Sequence, residues 1–303
     1  MVKRFFWLSI ILLFSYLLIR IFTSSGEPNE ADQRYQNEFW NNYRIYAIPL
    51  PEQLNLAGEA VPLERYYVRE RFDRELLINS YWQSQTVQFL KRANRYFPMI
   101  EPILAEQNVP DDFKYLALIE SGLMNVVSPA GATGFWQILK GTGHDLGLEI
   151  NNYIDERYHI EKATAAACKY LKDSKDDYGS WILAAASYNM GNRRLKENLE
   201  KQKVNDYFDL HLNEETSRYV YRILALKLIF ENPQKAGFYY RESDLYEPLE
   251  YNTILVDTAI TNLVDFALLH NTTYKELRLL NPWIRQYEIP NSSGKVYEIK
   301  MPK

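Results

Sequence analysis

Glu120-Ser121-Gly122-Leu123, followed after a short gap by Ser128-Pro129-Ala130-Gly131-Ala132-Thr133-Gly134-Phe135-Trp136-Gln137, sets an acid at the end of an apolar run and a glycine-rich turn behind it. Upstream, Phe113, Leu116, Ala117 and Glu120 recur at i, i+3, i+4, i+7, so on a helix the carboxyl falls on an otherwise hydrophobic face. Leu118 and Ile119 make that helix apolar nearly all round, the pattern of one buried on several sides. Burial and the negative end of a helix dipole both disfavour a carboxylate, so Glu120 is expected to keep its proton toward neutral pH. A carboxyl of that kind can act as a general acid toward a glycosidic bond, with a value of about 6 expected. The competing reading is a helix-end glutamate paired with a buried arginine or lysine.

The residues around this core bound the alternatives. At 303 residues and 47% hydrophobic content, the chain builds a full core and more than one domain. A formal charge of −4, with no dense basic run beyond the first few residues, argues against a nucleic-acid binder. The 24 tyrosines and 6 tryptophans suit a sugar groove, although most of them are expected to be packing. Lys140-Gly141-Thr142-Gly143 fits neither G-x-x-x-x-G-K-[ST] nor G-x-G-x-x-G, so no phosphate cradle is supported. His144, His159, His211 and His270 form no H-E-x-x-H, and there is no G-x-S-x-G, which removes zinc-protease and serine-hydrolase chemistry. Cys168, among alanines, reads as a small buried hydrophobe.

Lys3 and Arg4 precede Phe5 to Phe22, apolar except for Ser9, Ser15, Tyr16 and Arg20. As a helix this run spans about 27 Å, just short of the roughly 30 Å hydrocarbon core, and Arg20 can snorkel to the far interface. Residues 1–24 are expected to be a secretion signal or a single membrane anchor, and the lack of a clear A-x-A site favours the anchor. Positive residues ahead of the run place the body outside the cytoplasm. Residues 25–65 read as a polar spacer and an irregular segment. Helical periodicity then predicts helices over 69–96, 100–107, 112–121, 163–173, 180–190 and 214–230, with little strand character. Residues 236–250 read as a linker. The tail, 251–303, reads as a β-α-α-β unit, with strands at 253–256 and 296–299 and helices at 262–270 and 274–280.

Four segments occur together: Glu120-Ser121, the Ser128 to Gln137 stretch, Ser187-Tyr188-Asn189-x-Gly191, and Glu215-Thr216-x-x-Tyr219-Val220. In that order they resemble the lysozyme-like domain of lytic transglycosylases, above all the membrane-bound type D enzymes that carry LysM modules. The resemblance spans residues 66–235 and implies a mainly α fold of the goose-type lysozyme and soluble lytic transglycosylase kind. It implies that Glu120 is the sole catalytic acid/base. Ser128 and Gln137 would line sugar subsites, and Gly134 would let the backbone approach the glycan. Tyr188 would hydrogen-bond near the acid, Asn189 would sit in the substrate groove, and Tyr219 would be the aromatic of the fourth motif. Gly122-Leu123 departs from the family, many members of which have a residue followed by an aromatic there.

The tail resembles a LysM module through Asn262-Leu263-Val264-Asp265-Phe266-Ala267, Thr273 to Leu277 and Leu280-Asn281-Pro282, without the usual Gly-Asp-Thr opening. The implied reaction is cleavage of the MurNAc-GlcNAc β-1,4 bond of peptidoglycan glycan strands with 1,6-anhydro ends, outside the cytoplasm and without metal or cofactor. A goose-type hydrolase is the nearest alternative and would need a second carboxylate, for which Asp145, Asp155 and Glu156 are candidates by type. A non-catalytic wall-binding scaffold is the other. Because every expected catalytic group precedes Phe230, the tail is expected to serve glycan engagement and leave the chemistry untouched.

Overall fold

The computed structural model describes residues 30–42 and 46–303. The chain divides between Ala47 and Ile48 into two compact units. In the first, Glu30–Asn42 is a helix, α1, within the segment expected to be spacer. Its residues are mostly polar and include no glycine or proline, so nothing in them breaks a helix. The expected signal or anchor lies outside the described residues. Among the described residues no helix is long and apolar enough to cross a membrane.

The second unit opens on a small hairpin, β1 (Asn55–Leu56) and β2 (Glu59–Ala60). The helices α2 (Tyr66–Tyr81), α3 (Gln83–Glu106), α4 (Lys114–Ser121), α5 (Lys140–Asp145), α6 (Ile160–Tyr178), α7 (Trp181–Met190), α8 (Asn192–Gln202) and α9 (Glu214–Glu231) follow. The single helix expected over 69–96 is two, broken at Trp82. The second of them runs on through Pro98 and Pro102 to Glu106. Both prolines are exposed, so water can satisfy the carbonyls that their missing N–H groups leave free. The sequence reading missed α8, a strongly charged helix whose only apolar residues are Leu195, which is buried, and Leu199 one turn later.

The short helix α4 is central. Tyr115, Leu116, Ala117, Leu118, Ile119 and Ser121 are all buried, leaving Lys114 and Glu120 as its less covered side chains. Its neighbours include α3 and α9. Burial of such leucines and isoleucines contributes about 1.5–3 kcal/mol each. The helix stops because Gly122 (φ 60°) and Leu123 (φ 56°) are both left-handed, with Gly122 N–H closing on Leu118 O at 2.8 Å. At Gly122 a Cβ would lie 2.7 Å from the Phe89 ring, so a larger residue there would push on that ring.

Ion pairs pin the helices to one another. Glu75, buried on α2, accepts from Arg218 of α9 at 2.6 and 3.1 Å. Glu59 of the hairpin accepts from Ser180 Oγ and Trp181 N–H, each at 2.6 Å, and so caps α7. Alanines 163, 166 and 167 of α6 and 184 to 186 of α7 are buried where those helices pack, and their small side chains permit a close approach.

The tail folds as β3 (Tyr251–Val256), α10 (Leu263–Leu269), α11 (Tyr274–Leu280) and β4 (Tyr297–Pro302). The strands pair antiparallel from Tyr251↔Pro302 to Val256↔Tyr297. Asn262 caps α10, and Thr273 with Glu276 forms a capping box on α11. The tail's core of Leu263, Ala267, Leu277, Trp283, Ile284, Ile299 and neighbours also takes in Ile154 and Tyr158 from between α5 and α6. The chain is thus mainly helical with a small α+β end module.

Candidate active site

Glu120 lies one residue before the end of α4, where the dipole opposes a negative charge. Tyr219, buried on α9, donates its hydroxyl proton to Glu120 Oε1. Arg222, one turn further along α9, donates to the Ile119 carbonyl at 3.1 Å and places its positive charge near the carboxyl. Desolvation dominates, and despite the Tyr219 bond and Arg222 it pushes the Glu120 carboxyl up to about 7, with the charge of Glu215 adding to the rise. The expected direction holds, and the pairing with a buried cation that would have depressed the group is not what governs it.

The glycine-rich stretch folds back as a tight loop over the end of α4. Val127 bridges to Thr133, and Thr133 to Ile138. Ser128 Oγ accepts from Ala132 N–H at 3.0 Å, which closes the Ser-Pro turn and leaves its own O–H to donate. Gln137, at φ 47°, donates both amide protons to backbone carbonyls, to Gly134 O at 2.8 Å and Val126 O at 3.1 Å. Its Oε1 is the end of that side chain left for a ligand. Gly134 (φ 79°) is buried, and the close approach it permits is to the protein itself. A Cβ there would stand 2.1 Å from the Arg157 carbonyl oxygen, so packing against the protein itself already requires a glycine at this position.

Two carbonyls of this loop tie it to the acid and to α7. Ser121 Oγ donates to Phe135 O at 2.8 Å, and the Tyr188 hydroxyl donates to Trp136 O at 2.7 Å. Tyr188 therefore serves the loop, and Tyr219 is the tyrosine on the acid. Burial, then the nearby Glu120 charge, raises the Tyr188 hydroxyl well above its usual value, so it stays a neutral donor. Asn189, half-buried, follows it at the end of α7, before Gly191 ends the helix at φ 84°. Trp136 is fully buried and donates its ring N–H to Thr164 Oγ1 at 2.9 Å, a core role.

Sequence reasoning missed Arg157. Its guanidinium donates from Nε and one terminal nitrogen to the Asp155 carboxylate at 2.9 and 2.7 Å, and from the other to Gly131 O and Ile138 O at 3.1 and 3.2 Å. No spacing advertises a side chain that grips a loop some twenty residues earlier. The pair also accounts for Asp155. Glu156 is held by Lys162 at 2.5 Å and by Glu149 N–H at 2.8 Å, and Asp145 is exposed on α5. Asp155 and Glu156, two of the three carboxylates considered for activating water, are thus committed to structural pairs. Among the described residues no cluster of three or more His, Cys, Asp or Glu is arranged to hold a metal ion.

Residues 98–210 match the family model of the transglycosylase SLT domain, and residues 252–303 that of the soluble lytic transglycosylase C-terminal LysM-like domain. Membrane-bound lytic murein transglycosylase D of Escherichia coli K12, and its counterpart from E. coli O6:H1, are each 31% identical over 176 residues. The match takes in 56% of this chain and 38% of the relative, so the chain spans well under two thirds of the length of the curated relatives it matches. Among solved structures, an inactive mutant of the lytic transglycosylase Slt from Pseudomonas aeruginosa aligns at 19% identity and TM-score 0.42, over 60% of this chain and 31% of that one. A 70-kDa soluble lytic transglycosylase bound to bulgecin A aligns at 18% identity and TM-score 0.43, over 62% and 32%. The chain therefore carries a transglycosylase SLT domain and a LysM-like C-terminal domain, and is homologous to membrane-bound lytic murein transglycosylase D. Tyr219 lies beyond the matched SLT segment and reaches the acid only through the fold.

Proposed function

We propose that this protein is a peptidoglycan lytic transglycosylase in which Glu120 alone carries the proton chemistry. The observation that bears this reading is the carboxyl raised to about 7 at the end of α4 with Tyr219 on its Oε1. Near neutral pH such a group is populated in both forms, as a residue that must give a proton and take one back requires.

In the forward step, protonated Glu120 gives its proton to the glycosidic oxygen as the bond from that oxygen to muramoyl C1 breaks and oxocarbenium-like charge develops at C1. The Glu120 carboxylate, held by Tyr219, then removes the proton of the muramoyl C6 hydroxyl while O6 bonds to C1. The glycan leaves with a 1,6-anhydro end, no water is consumed, and Glu120 is protonated again. One carboxylate suffices because the substrate supplies the nucleophile, an exception to the two-carboxylate scheme. The commitment of Asp155 and Glu156 to Arg157 and Lys162 favours this over water activation.

Ser128, Gln137 and Asn189 are assigned to the sugar groove beside Glu120, with Gly134 and Tyr188 shaping the loop that forms its wall. The site of action is outside the cytoplasm, in keeping with the membrane-bound murein enzyme to which the chain is homologous and with the apolar run at 5–22. The LysM-like module is assigned a second glycan contact. Exposed Tyr287 stacks on Tyr274 with centroids 4.9 Å apart, beside a groove of about 710 Å³ lined also by Asn152, Asn262 and Gln286.

Mass spectrometry of purified-sacculus digests tests the reaction. Anhydro-muropeptides are expected from the parent protein and at most a trace from Glu120→Gln. Products heavier by one water would establish the goose-type hydrolase instead, and no product from the parent would leave a wall-binding scaffold.

A further inference from the structure

We infer that the C-terminal module is a positioning element of the Glu120 site, bracing the loop that holds the acid, and not only a tethered binding unit. The inference rests on the transglycosylase reading for its kinetic consequence, but its geometry is independent of it. Three residues of the 153–158 segment enter the module directly. Ile154 bridges to Ile284 and is buried in the module core, Asp155 N–H donates to Trp283 O at 2.9 Å, and Tyr153 O accepts from Arg285 N–H at 2.7 Å. The Arg285 guanidinium lies 4.2 Å from the centre of the Tyr158 ring. Lys295 and Lys300 add ion pairs to Glu149 and Glu161, at 2.5 Å each.

The same short segment holds the active-site loop from the other side. Asp155, whose backbone the module grips, orients Arg157, and Arg157 holds both ends of the loop through Gly131 O and Ile138 O while its carbonyl packs on Gly134. That loop in turn fixes Ser121, the residue after the acid, through Phe135 O. Every link is a direct hydrogen bond or a buried contact, so slack at Ile154 reaches the Glu120 carboxyl with no flexible spacer in between. Small misplacements of a reacting group, even from remote changes, cost rates out of proportion to their size.

The test uses the full chain. Ile154→Ala withdraws the catalytic domain's anchor from the module without altering the module's own sequence. Ile154→Val is the conservative control, and Arg285→Ala, at an exposed side chain, loosens the same joint without opening either core. On a short soluble glycan, Ile154→Ala is expected to lower kcat about tenfold or more with KM within about twofold, and Ile154→Val to restore it. Amide exchange in 131–138 should rise in step with the loss, and Arg285→Ala should move both readouts the same way by less. Parental kcat in both Ala variants, or a loss of kcat with parental exchange in 131–138, would overturn the inference. Failure of the underlying reading looks different. The parent would then show no Glu120-dependent turnover, and exchange alone would decide the bracing, unchanged exchange refuting it.

Discussion

The Tyr219 hydroxyl donates to Oε1 of Glu120 from a helix that lies 99 residues further along the chain. That bond favours the charged carboxylate, while the apolar surroundings of α4 favour the neutral acid. Desolvation is the larger effect, and the balance sits at about 7. Without the tyrosine the carboxyl would hold its proton more tightly and be the weaker acid.

Tyr219→Phe is therefore expected to raise the Glu120 value further, since the lost bond stabilised only the charged form. A hydrogen bond to a charged group contributes about 1.5–3 kcal/mol, so the shift should be on the order of one to two pH units. In the parent, kcat/KM should fall as pH rises through about 7 and the acid is depleted. In the variant that limb should move to higher pH while the peak rate drops. An alkaline limb that stays in place, or moves down, would remove Tyr219 from this role.

Glu120→Gln is expected to lose on the order of 10²–10⁴ in turnover, because the amide matches the carboxyl in shape but carries no transferable proton. The same variant reads the cost of the site. The folded value of about 7 stands above a glutamate's ordinary 4.5, so the fold favours the protonated form. No penalty exists below about 4.5, and stability is lost as pH rises through 7. The difference corresponds to about 3 kcal/mol at most. Denaturant melts of the two proteins should coincide at pH 4 and separate by pH 8, with the Gln variant the more stable. Equal stability at both pH values would contradict the desolvated acid.

Gly134→Ala and Gly131→Ala separate packing from backbone strain. Both positions have φ near +80°, but a Cβ at Gly131 meets open space while one at Gly134 meets the Arg157 carbonyl at 2.1 Å. Gly131→Ala should cost about 1–2 kcal/mol, the left-handed penalty alone. Gly134→Ala should cost about 3 kcal/mol or more, because backbone must move as well. Chemical denaturation measures both, and a milder effect at 134 than at 131 would refute the loop geometry.

Arg157→Ala leaves the Asp155 carboxylate buried without its cation and is expected to destabilise by about 3–5 kcal/mol. Arg157→Lys should recover only part of this, since an ammonium cannot reproduce the two-pronged contact with Asp155 and also reach Gly131 and Ile138. Melting temperatures ranked parent, Lys, Ala are the expected outcome, and a Lys variant equal to the parent would contradict it.

Tyr287→Ala tests the module groove. The side chain is exposed and stacked, so its removal opens no core. Co-sedimentation with insoluble peptidoglycan should weaken, while kcat on a short soluble glycan stays at the parental value. Undiminished co-sedimentation would take the second glycan contact away from this face.

Local pattern was enough for part of this molecule. The burial of α4, the placing of Glu120 at its end and the β-α-α-β order of the tail are legible because helix period, strand alternation and capping residues act over a few positions in the chain. The division of α2 from α3 was not, since Trp82 breaks the helix without a glycine or proline, while Pro98 and Pro102, which look like breaks, face solvent and are absorbed. Nor was α8, where Leu195 and Leu199 are the only two apolar residues in a charged stretch that follows Gly191 at once. Which tyrosine meets the acid, which carbonyl Gly134 makes room for, and how Asp155 and Arg157 join the tail module to the active-site loop depend on contacts between segments far apart in the chain. Those are decided by how whole helices pack, where one side chain's surroundings come from several elements at once, and no spacing within one stretch of sequence records them.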